Sequence, residues 1–439
     1  MDFQKFIEKA KKAGIEDIEF YCSESKTLDI ALFNGEVEKS SVHNSYVISV
    51  RAIVNGKMTY MSFEDENIDM DKVIEKLKEN ASVLTTLEEF EIFGGSESYP
   101  QLERVDGGFD KVSVAEKVAL LKSVEKIAKS LDQRIVLLPY CNYAESSEKT
   151  SIINSKGLNV EKTVEYGDIV LGALAKEGDS TQDGFEVKVA LKYDELNPEE
   201  IAKKAVEKAI SMLGAEAIES KTYPVIIENE AMADLLSGFS SMFTGEAAVK
   251  KLTSLLGKEG QKIMQDNVTI VDDPLLAGAV NSQPFDDEGV ACYKKAVVEN
   301  GVFKTFLHNL KTAKAFNTKS TGNGVKSGSI GTRGINLYIE KGNATKEELI
   351  SSIEEGLLIT DLSGLHAGLN AISGDFSAQS SGFYIKNGKI EKPVTLIVVS
   401  GNFIKMMNEI DEIGSDLFLG YSGVGAPSIK FKGLPVSGK

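Results

Sequence analysis

The chain has 439 residues, with 49 Lys or Arg against 66 Asp or Glu, so its formal net charge is −17. This acidic balance offers no broad basic surface to neutralise phosphates, which argues against nucleic acid as a primary partner. Charges interrupt the apolar residues at the N-terminus, and no stretch reaches the roughly 18 apolar residues that a bilayer crossing needs. We therefore predict a cytoplasmic protein without a signal peptide or a membrane-spanning helix.

The first elements form a helix followed by strands. Apolar residues recur at helical spacing between Asp2, a candidate N-cap, and Gly14, a stop signal. Two β-prone runs then lead into Asn34-Gly35 and Asn55-Gly56, which are typical tight-hairpin sequences. A second helix is predicted after Asp69.

A similar order of elements recurs downstream. The capping box Ser113-x-x-Glu116 opens a helix, strands are predicted over residues 134–192, and Asn197-Pro198 opens another helix that ends at Gly214. The pattern predicts inward-facing side chains on the helix after Ser113, namely Val114, Val118, Leu121, Ala128 and Leu131. Residues 37–40 and 160–163 are similar in sequence and place, which indicates two related helix–meander–helix halves.

The pattern of predicted secondary structure changes at the polar segment 216–222. Beyond it, strands such as 224–227 and 394–399 alternate with Gly-rich loops and with hairpin signals at Asn300-Gly301 and Asn387-Gly388. Helices are fewer here: the clearest opens at the capping box Thr345-x-x-Glu348, and another is predicted near residues 403–410. This order predicts an α+β protein with a helix–β-meander–helix N-terminal region and a larger β-rich C-terminal domain of mixed and antiparallel sheets. The predicted domains are residues 1–100, 101–215 and 222–439.

The residues give no local motif for metal binding or nucleophilic catalysis. His43, His308 and His366 are scattered, so no helix carries the paired His of a His-Glu-x-x-His site. There is no Gly-x-Ser-x-Gly elbow, and the Ser-rich stretches 237–241 and 377–381 are more typical of turns and caps. A Ser–His pair assembled by the fold stays open as an alternative.

The cysteines also favour a structural role. Cys22, Cys141 and Cys292 are far apart and odd in number, which argues against a disulfide framework and fits a reducing compartment. We expect all three to be buried apolar residues rather than nucleophiles.

Two further features invite a ligand interpretation. The Gly-rich loop 320–334 carries Lys326 and Arg333, but its spacing matches no phosphate-binding fingerprint, so a flexible lid or a peptide-contacting loop is favoured over phosphate binding. The acidic clusters 272–273 and 286–288 lack the alternating ligands of a calcium loop. We interpret them as solvated turns or as acceptors facing a basic partner.

Several ordered motifs over about 150 residues give the chain a resemblance to the TldD/PmbA family. They are Val271-Asp272-Asp273-Pro274, Phe285-Asp286-Asp287-Glu288-Gly289, residues 299–307, Ser320-Thr321-Gly322-Asn323-Gly324, Gly374-Asp375-Phe376-Ser377, residues 381–388, Ser400-Gly401-Asn402 and Gly414-Ser415-Asp416. The first 215 residues match by layout more than by motif.

The resemblance implies a two-subunit cytosolic metalloprotease. In its TldD-type subunit a helix carries His-Glu-x-x-x-His and a Cys near the C-terminus completes a zinc site. The aligned positions here are Ser237, Gly238 and Met242, and residues 420–428 contain no Cys. The chain therefore resembles the PmbA, or TldE, branch: no catalytic or metal-binding residue and no cofactor are expected in it, with zinc only in a TldD-type partner.

Such a pair is expected to enclose a chamber for unfolded or short peptides, which strand edges could hold by main-chain hydrogen bonds. The candidate residues for the peptide chamber or the subunit interface are Asp286, Asp287, Glu288, Asn323, Gly324, Asp375, Ser380 and Ser381.

Three hypotheses follow for the function. The favoured one is a non-metal subunit that forms a heterodimer with a TldD-type sister and takes part in peptide proteolysis. The second is a homodimeric scaffold or binding module that modulates DNA gyrase without catalysis. The third is a self-sufficient non-metal hydrolase, for which Ser240 and Ser380 are candidate nucleophiles.

Overall fold

A computed structural model describes residues 1–64, 68–85, 91–103 and 105–439. The helices are α1 (Phe3–Lys12), α2 (Met70–Val83), α3 (Val114–Leu131), α4 (Pro198–Ser211), α5 (Asn229–Phe239), α6 (Gly245–Val249), α7 (Leu310–Ala315), α8 (Lys346–Ser351), α9 (Leu365–Gly368) and α10 (Phe403–Met406). Within the described ranges, none of the helices combines the length and apolar character that a bilayer crossing requires.

The strands fall into an N-terminal and a C-terminal group. The N-terminal strands are β1 (Asp17–Phe33), β2 (Glu36–Val54), β3 (Lys57–Phe63), β4 (Ile135–Asn154), β5 (Asn159–Glu177) and β6 (Ser180–Ala190). The C-terminal strands are β7 (Lys221–Ile227), β8 (Ile270–Asp272), β9 (Lys295–Glu299), β10 (Val302–Phe303), β11 (Gly324–Ser327), β12 (Ser329–Thr332), β13 (Leu337–Ile339), β14 (Glu355–Ser363), β15 (Leu369–Asn370), β16 (Asp375–Lys386), β17 (Lys389–Asn402), β18 (Ile410–Ile413), β19 (Phe418–Leu419), β20 (Val424–Ala426) and β21 (Ile429–Ser437).

The first 215 residues build one sheet from two similar units. Each unit runs helix, three antiparallel strands, helix, and the sheet order is β3-β2-β1-β4-β5-β6. The first strands of the two units pair with each other, so that Thr27 on β1 faces His43 on one side and Ser146 on the other. The similar sequences 37–40 and 160–163 both lie at the start of the second strand of their unit.

The predicted tight turns are confirmed by backbone angles. The Asn residues of the four Asn-Gly pairs have φ between 48° and 52°, and each following Gly also has positive φ. Two successive residues at positive φ define the type I′ turn, whose twist matches that of paired strands. The pairs are Asn34-Gly35, Asn55-Gly56, Asn300-Gly301 and Asn387-Gly388.

The four long helices cover one face of the N-terminal sheet. Asp2, Asp69, Ser113 and Asn197 cap them by accepting backbone N–H groups, as the sequence predicts. Two predicted core positions of α3 are wrong: Val114 and Leu131 are exposed, because they lie at the two ends of the helix, beyond the sheet that covers Leu121 and Ala128.

The C-terminal domain contains a closed ring of five strands. β14 pairs with β7 and with β16, β16 with β17, β17 with β21, and β21 with β7, which closes the ring. Gly382 on β16 lies against β14 so closely that a Cβ there would come within 2.0 Å of the Leu358 carbonyl oxygen. A second, six-stranded mixed sheet has the order β10-β9-β8-β13-β20-β19.

The helix α5 lies between these two sheets, and its apolar residues belong to the main core.

Two expectations in this domain need correction. The helix near residues 403–410 is a single turn, α10, because Ile410 begins strand β18. Leu396, inside the predicted strand 394–399, occupies a bulge at φ 54° and points into solvent. The α+β class itself is confirmed.

Candidate functional site

A cleft of about 1180 Å³ separates the N-terminal sheet from the C-terminal domain. On one side it is lined by the sheet face opposite the helices, including Tyr21, Glu148 and Tyr166. On the other side it is lined by the 275–285 loop, by Val325 and Lys326 of β11, and by Arg333 and Tyr421. The Tyr166 and Tyr421 hydroxyls meet across it at 3.1 Å. This volume is large enough for a ligand of several residues.

The acidic segment, residues 286–288, holds the β11–β12 hairpin, and its Asp287 belongs to the cleft lining. Asp286 is fully buried and accepts the backbone N–H groups of Glu288 and Val290 at one oxygen and of Gly324 at the other, at 2.7 to 3.0 Å. Burial raises the pKa of Asp286, the Glu288 carboxylate adds to this effect, and the three N–H donors oppose it. Asp286 thus fixes Gly324 at the start of β11.

Asp287 connects the two domains. One carboxylate oxygen accepts the Tyr21 hydroxyl at 3.1 Å and Lys162 Nζ at 3.2 Å, both from the N-terminal sheet, and the other accepts the Lys326 backbone N–H at 2.9 Å. Lys326 Nζ continues to Ser49 Oγ at 2.7 Å and lies over the Tyr21 ring. Burial lowers the pKa of Lys326 and raises that of Tyr21.

Glu288 takes part in a second connection between the domains. Arg51 on β2 contacts Glu19 on β1 at 2.5 Å and Glu288 at 3.7 Å. The second Glu288 oxygen accepts the backbone N–H of Leu310 at the start of α7, at 2.7 Å. Burial raises the pKa of Glu288, and Arg51 opposes the shift. One Arg51 nitrogen, Nη2, is buried without a hydrogen-bond partner among the described residues.

The other acidic cluster is part of the core. Asp272 Oδ2 accepts Lys295 Nζ at 2.9 Å and the Asn323 side-chain amide at 2.8 Å, and its Oδ1 accepts the Ile335 N–H at 2.7 Å. Asn323 also accepts Lys295 Nζ and the Thr321 hydroxyl. The interpretation of both clusters as solvated turns is wrong, because Asp272, Asp286 and Glu288 are buried; the basic groups that they face belong to the same chain.

The Gly-rich loop forms the β11–β12 hairpin and leaves one strand edge free. Gly324 and Lys326 on β11 direct their N–H groups outward to the acidic segment, and they face Thr332 and Ile330 on β12. Facing residues of an antiparallel ladder direct their backbone groups alike, either both inward or both outward. Ile330 and Thr332 therefore present unpaired N–H and C=O groups along the outer edge of β12, within the described part of the chain. One face of β12 packs on α6, and the Gly331 carbonyl accepts the Asn309 side-chain amide at 3.2 Å. Thr332 Oγ1 is buried and has no hydrogen-bond partner among the described residues.

Of the three positions that align with the His-Glu-x-x-x-His motif, Met242 is a packing residue, Ser237 is half-buried and Gly238 is exposed beside the Leu369 side chain. Met242 is fully buried in the main core, and a Cβ at Gly238 would come within 2.5 Å of Leu369 Cδ1 on β15. Ser237 is half-buried on α5, and its carbonyl accepts the Ser240 hydroxyl at 2.7 Å. These side chains do not fit a zinc ion. Across the described ranges, no group of three or more His, Cys, Asp or Glu could hold a metal ion.

The other nucleophile and base candidates are mostly buried. Ser380 is buried and donates to the Ala378 carbonyl at 2.9 Å, and His308 is buried with Nδ1 3.1 Å from Thr312 Oγ1. Burial lowers the pKa of His308 to about 4. All three cysteines are buried, and burial raises the pKa of Cys141 and Cys292 to about 12, so their thiolates are disfavoured.

The predicted site residues thus fall into two places. Asp286, Asp287, Glu288, Asn323 and Gly324 lie together around the start of β11, and of these five Asp287 alone lines the cleft. The remaining three lie on β16 in the ring. There Asp375 accepts the Ser373 hydroxyl and the Asn402 amide, and Ser381 faces Asp361 across the β14–β16 pairing.

Sequence reasoning missed the partners from the N-terminal sheet, above all Arg51, Glu19 and Tyr21. One usable signal lay in the alternation of side chains along β1. Glu19 lies between the buried Ile18 and Phe20, so its side chain is directed to the opposite face of the strand. A charged residue whose own face is also buried indicates a second partner surface. The partner itself could not be read from sequence.

The comparisons with known proteins agree over most of the chain. Sequence models of the PmbA/TldA metallopeptidase match in three parts: domain 1 at residues 18–81, the central domain at 107–213 and the C-terminal domain at 220–438. The chain is 32% identical over 284 residues to a protein named metalloprotease PmbA homolog from Buchnera aphidicola; the match covers 61% of this chain and 62% of that relative.

Solved structures extend the likeness. A crystal structure from Thermotoga maritima, described as a modulator of DNA gyrase, has a TM-score of 0.93 and 34% identity and covers 99% of both chains. TldE from Thermococcus kodakarensis has a TM-score of 0.89 at 24% identity, with 99% of this chain and 100% of that chain covered, and it supports the fold alone.

Proposed function

Because this chain belongs to the PmbA/TldD metallopeptidase family, we propose that it is a subunit without its own metal site, which pairs with a zinc-bearing sister chain to cleave unfolded or short peptides. The sister would carry the His-Glu-x-x-x-His helix and hence the zinc, whose bound water would be the nucleophile. This chain would contribute peptide binding and part of the enclosing wall.

The observation that carries the proposal is the burial of Met242, together with the lack of free space for a side chain at Gly238. A metal-binding helix must direct two His and one Glu to a common open space. Here Met242 is fully buried in the core, and Gly238 lies against Leu369. These contacts support a helix that has a structural role in this chain.

The free edge of β12 supports the peptide-binding part of the proposal. An extended chain can add to a strand edge through main-chain hydrogen bonds, which accept many sequences but no folded domain. β12 is anchored by its partner β11, whose outer N–H groups are held by Asp286 and Asp287. A rigid hairpin with one open edge is suited to this task, because little order has to be gained on binding.

The test is reconstitution from purified chains. The chain alone is expected to hold less than stoichiometric zinc and to leave an unfolded peptide intact, and cleavage is expected once a His-Glu-x-x-x-His sister is added. A sister chain with its Glu replaced by Gln is the control. Cleavage by this chain alone would contradict the proposal and favour a self-sufficient hydrolase.

The assembly is measured in the same experiment. Light scattering of the mixture should give the mass of a complex of the two chains, and zinc should be found only with the sister. A stable homodimer that neither binds the sister nor changes its activity would favour the scaffold hypothesis instead.

A further inference from the structure

The cleft between the domains carries a distribution of charge that the contacts within the chain do not explain. Its lining includes three described cations, Lys162, Lys326 and Arg333. Lys162 Nζ is held by Gln283 at 2.6 Å and by Asp287 at 3.2 Å, and Lys326 Nζ by Ser49 at 2.7 Å. Both lysines are therefore used in joining the domains.

Arg333 is the exception. It follows β12, its backbone pairs with Asn323, and its side chain is exposed in the cleft. No described residue forms an ion pair or a side-chain hydrogen bond with its guanidinium. A guanidinium offers a planar fork of donors that matches a carboxylate in a bidentate way.

The opposite wall carries the complementary group. Glu148 on β4 belongs to the cleft lining, and its carboxylate accepts only hydroxyl groups in the described part of the chain, from Ser146 at 3.3 Å and Tyr166 at 3.5 Å. The nearby Glu161 and Asp287 differ, because Lys149 and Lys162 respectively neutralise them. Glu165 on β5 and Glu103 also line the cleft and form no ion pair with a described residue. Of these three carboxylates, Glu148 is the one bonded to Tyr166, whose hydroxyl meets Tyr421 of the opposite wall. The described lining therefore has unpaired carboxylates on the side of the sheet and one unpaired cation, Arg333, on the C-terminal domain.

We propose that this cleft binds a short peptide with two free ends, whose C-terminal carboxylate pairs with Arg333 and whose N-terminal ammonium pairs with Glu148. The inference rests on the proposed function, which makes peptides the substrate class. Tyr21, Tyr99 and Tyr421 also line the cleft and offer aromatic surface to the peptide in between. A dipolar ligand satisfies both walls at once, whereas a simple anion leaves Glu148 unpaired.

The test uses tetraalanine with free ends, with an amidated C-terminus and with an acetylated N-terminus. Each is titrated calorimetrically into the full chain. Free tetraalanine is expected to bind, and each blocked end is expected to weaken binding about tenfold, the loss of one charge-assisted contact. Arg333→Gln should weaken free tetraalanine by a similar factor and leave the amide unaffected. Glu148→Gln should abolish the difference between free and acetylated peptide.

Arg134→Gln is the matched control, because Arg134 pairs with Asp132 and Glu177 and does not line the cleft. The affinity of the Arg134→Gln variant for tetraalanine should equal that of the unchanged chain. The proposal is overturned if free tetraalanine does not bind at millimolar concentration, if blocking either end has no effect, or if inorganic phosphate binds more tightly than the peptide.

This outcome is separable from that of the proposed function. One outcome is that peptide binding depends on Arg333 and Glu148 but no cleavage occurs after the sister chain is added. This outcome would support the proposed binding site and contradict the proposed peptidase function. If the pair of chains cleaves peptides but tetraalanine does not bind to this chain, the proposed function is supported and the binding site is contradicted.

Discussion

Lys295 Nζ lies 2.9 Å from Asp272 Oδ2, and both side chains are almost fully shielded from solvent. The Asn323 amide bonds the same Asp272 oxygen at 2.8 Å. A buried ion pair with its remaining polar atoms satisfied costs little to keep, but removal of one member leaves the other as an unpaired buried charge.

We therefore expect Lys295→Met to lower the free energy of unfolding by about 3 to 5 kcal/mol. Urea denaturation followed by fluorescence would measure the change. The control is Lys304→Met, which removes an exposed pair with Glu299 at 3.1 Å and is expected to cost less than about 1 kcal/mol. Equal decreases in the free energy of unfolding for the two variants would contradict the prediction, because they would show that burial does not make the Lys295 pair more sensitive to removal of one member.

Asp287 is expected to hold the β11–β12 hairpin against the N-terminal sheet. Asp287→Ala removes the acceptor of the Tyr21 hydroxyl, of Lys162 Nζ and of the Lys326 N–H. Hydrogen exchange measured by mass spectrometry should become faster in residues 320–334 and stay unchanged in the ring strands. Asp266→Ala, a change at an exposed residue, is the control. Unchanged exchange in the hairpin would refute this role.

The zinc motif is not expected to be restored by substitution. Met242→His places a polar ring in the apolar core and should cost about 2 to 4 kcal/mol of stability, whereas Ser241→His at the exposed neighbour should cost little. The triple variant with Ser237→His, Gly238→Glu and Met242→His should still hold less than one zinc per chain, measured by atomic emission after gel filtration. One tightly bound zinc per chain would contradict the packing argument.

The lowered pKa of His308 predicts that the folded protein loses stability in mild acid. Burial lowers its pKa from 6.5 to about 4, so between these values the unfolded chain takes up a proton that the folded chain does not. The stabilisation is thus complete above pH 6.5 and is lost as the pH falls toward 4, by roughly 2 kcal/mol at pH 5. The difference in unfolding free energy between pH 7 and pH 5 should shrink by this amount in His308→Gln. His366→Gln, at an exposed site, should leave it unchanged.

Local features of this protein could be predicted from sequence. The four Asn-Gly turns and the caps at Asp2, Ser113 and Thr345 each depend on a few consecutive residues, whose backbone preferences suffice to form them. The same holds for the order of helices and strands in the N-terminal half.

Features that depend on distant contacts could not be predicted. Tyr21 and Asp287 are 266 residues apart, and nothing near either residue indicates the other. Without that contact, a dense run of carboxylates resembles a solvated turn, although Asp286 and Glu288 are buried. The one-turn helix α10 was overestimated because apolar spacing alone does not reveal that Ile410 pairs with Phe431 on β21.

The ring of five strands has a consequence for biosynthesis. β21 lies between β7 and β17, although about 200 residues separate it from β7 in the sequence. While a ribosome makes the C-terminal domain, β7 therefore emerges early and waits, with one edge unpaired, until residues 429–437 have left the exit tunnel. Contacts between such distant segments form slowly, and unpaired edges attract other chains in the meantime. Release of the nascent chain before this strand would leave every earlier element present and the ring open.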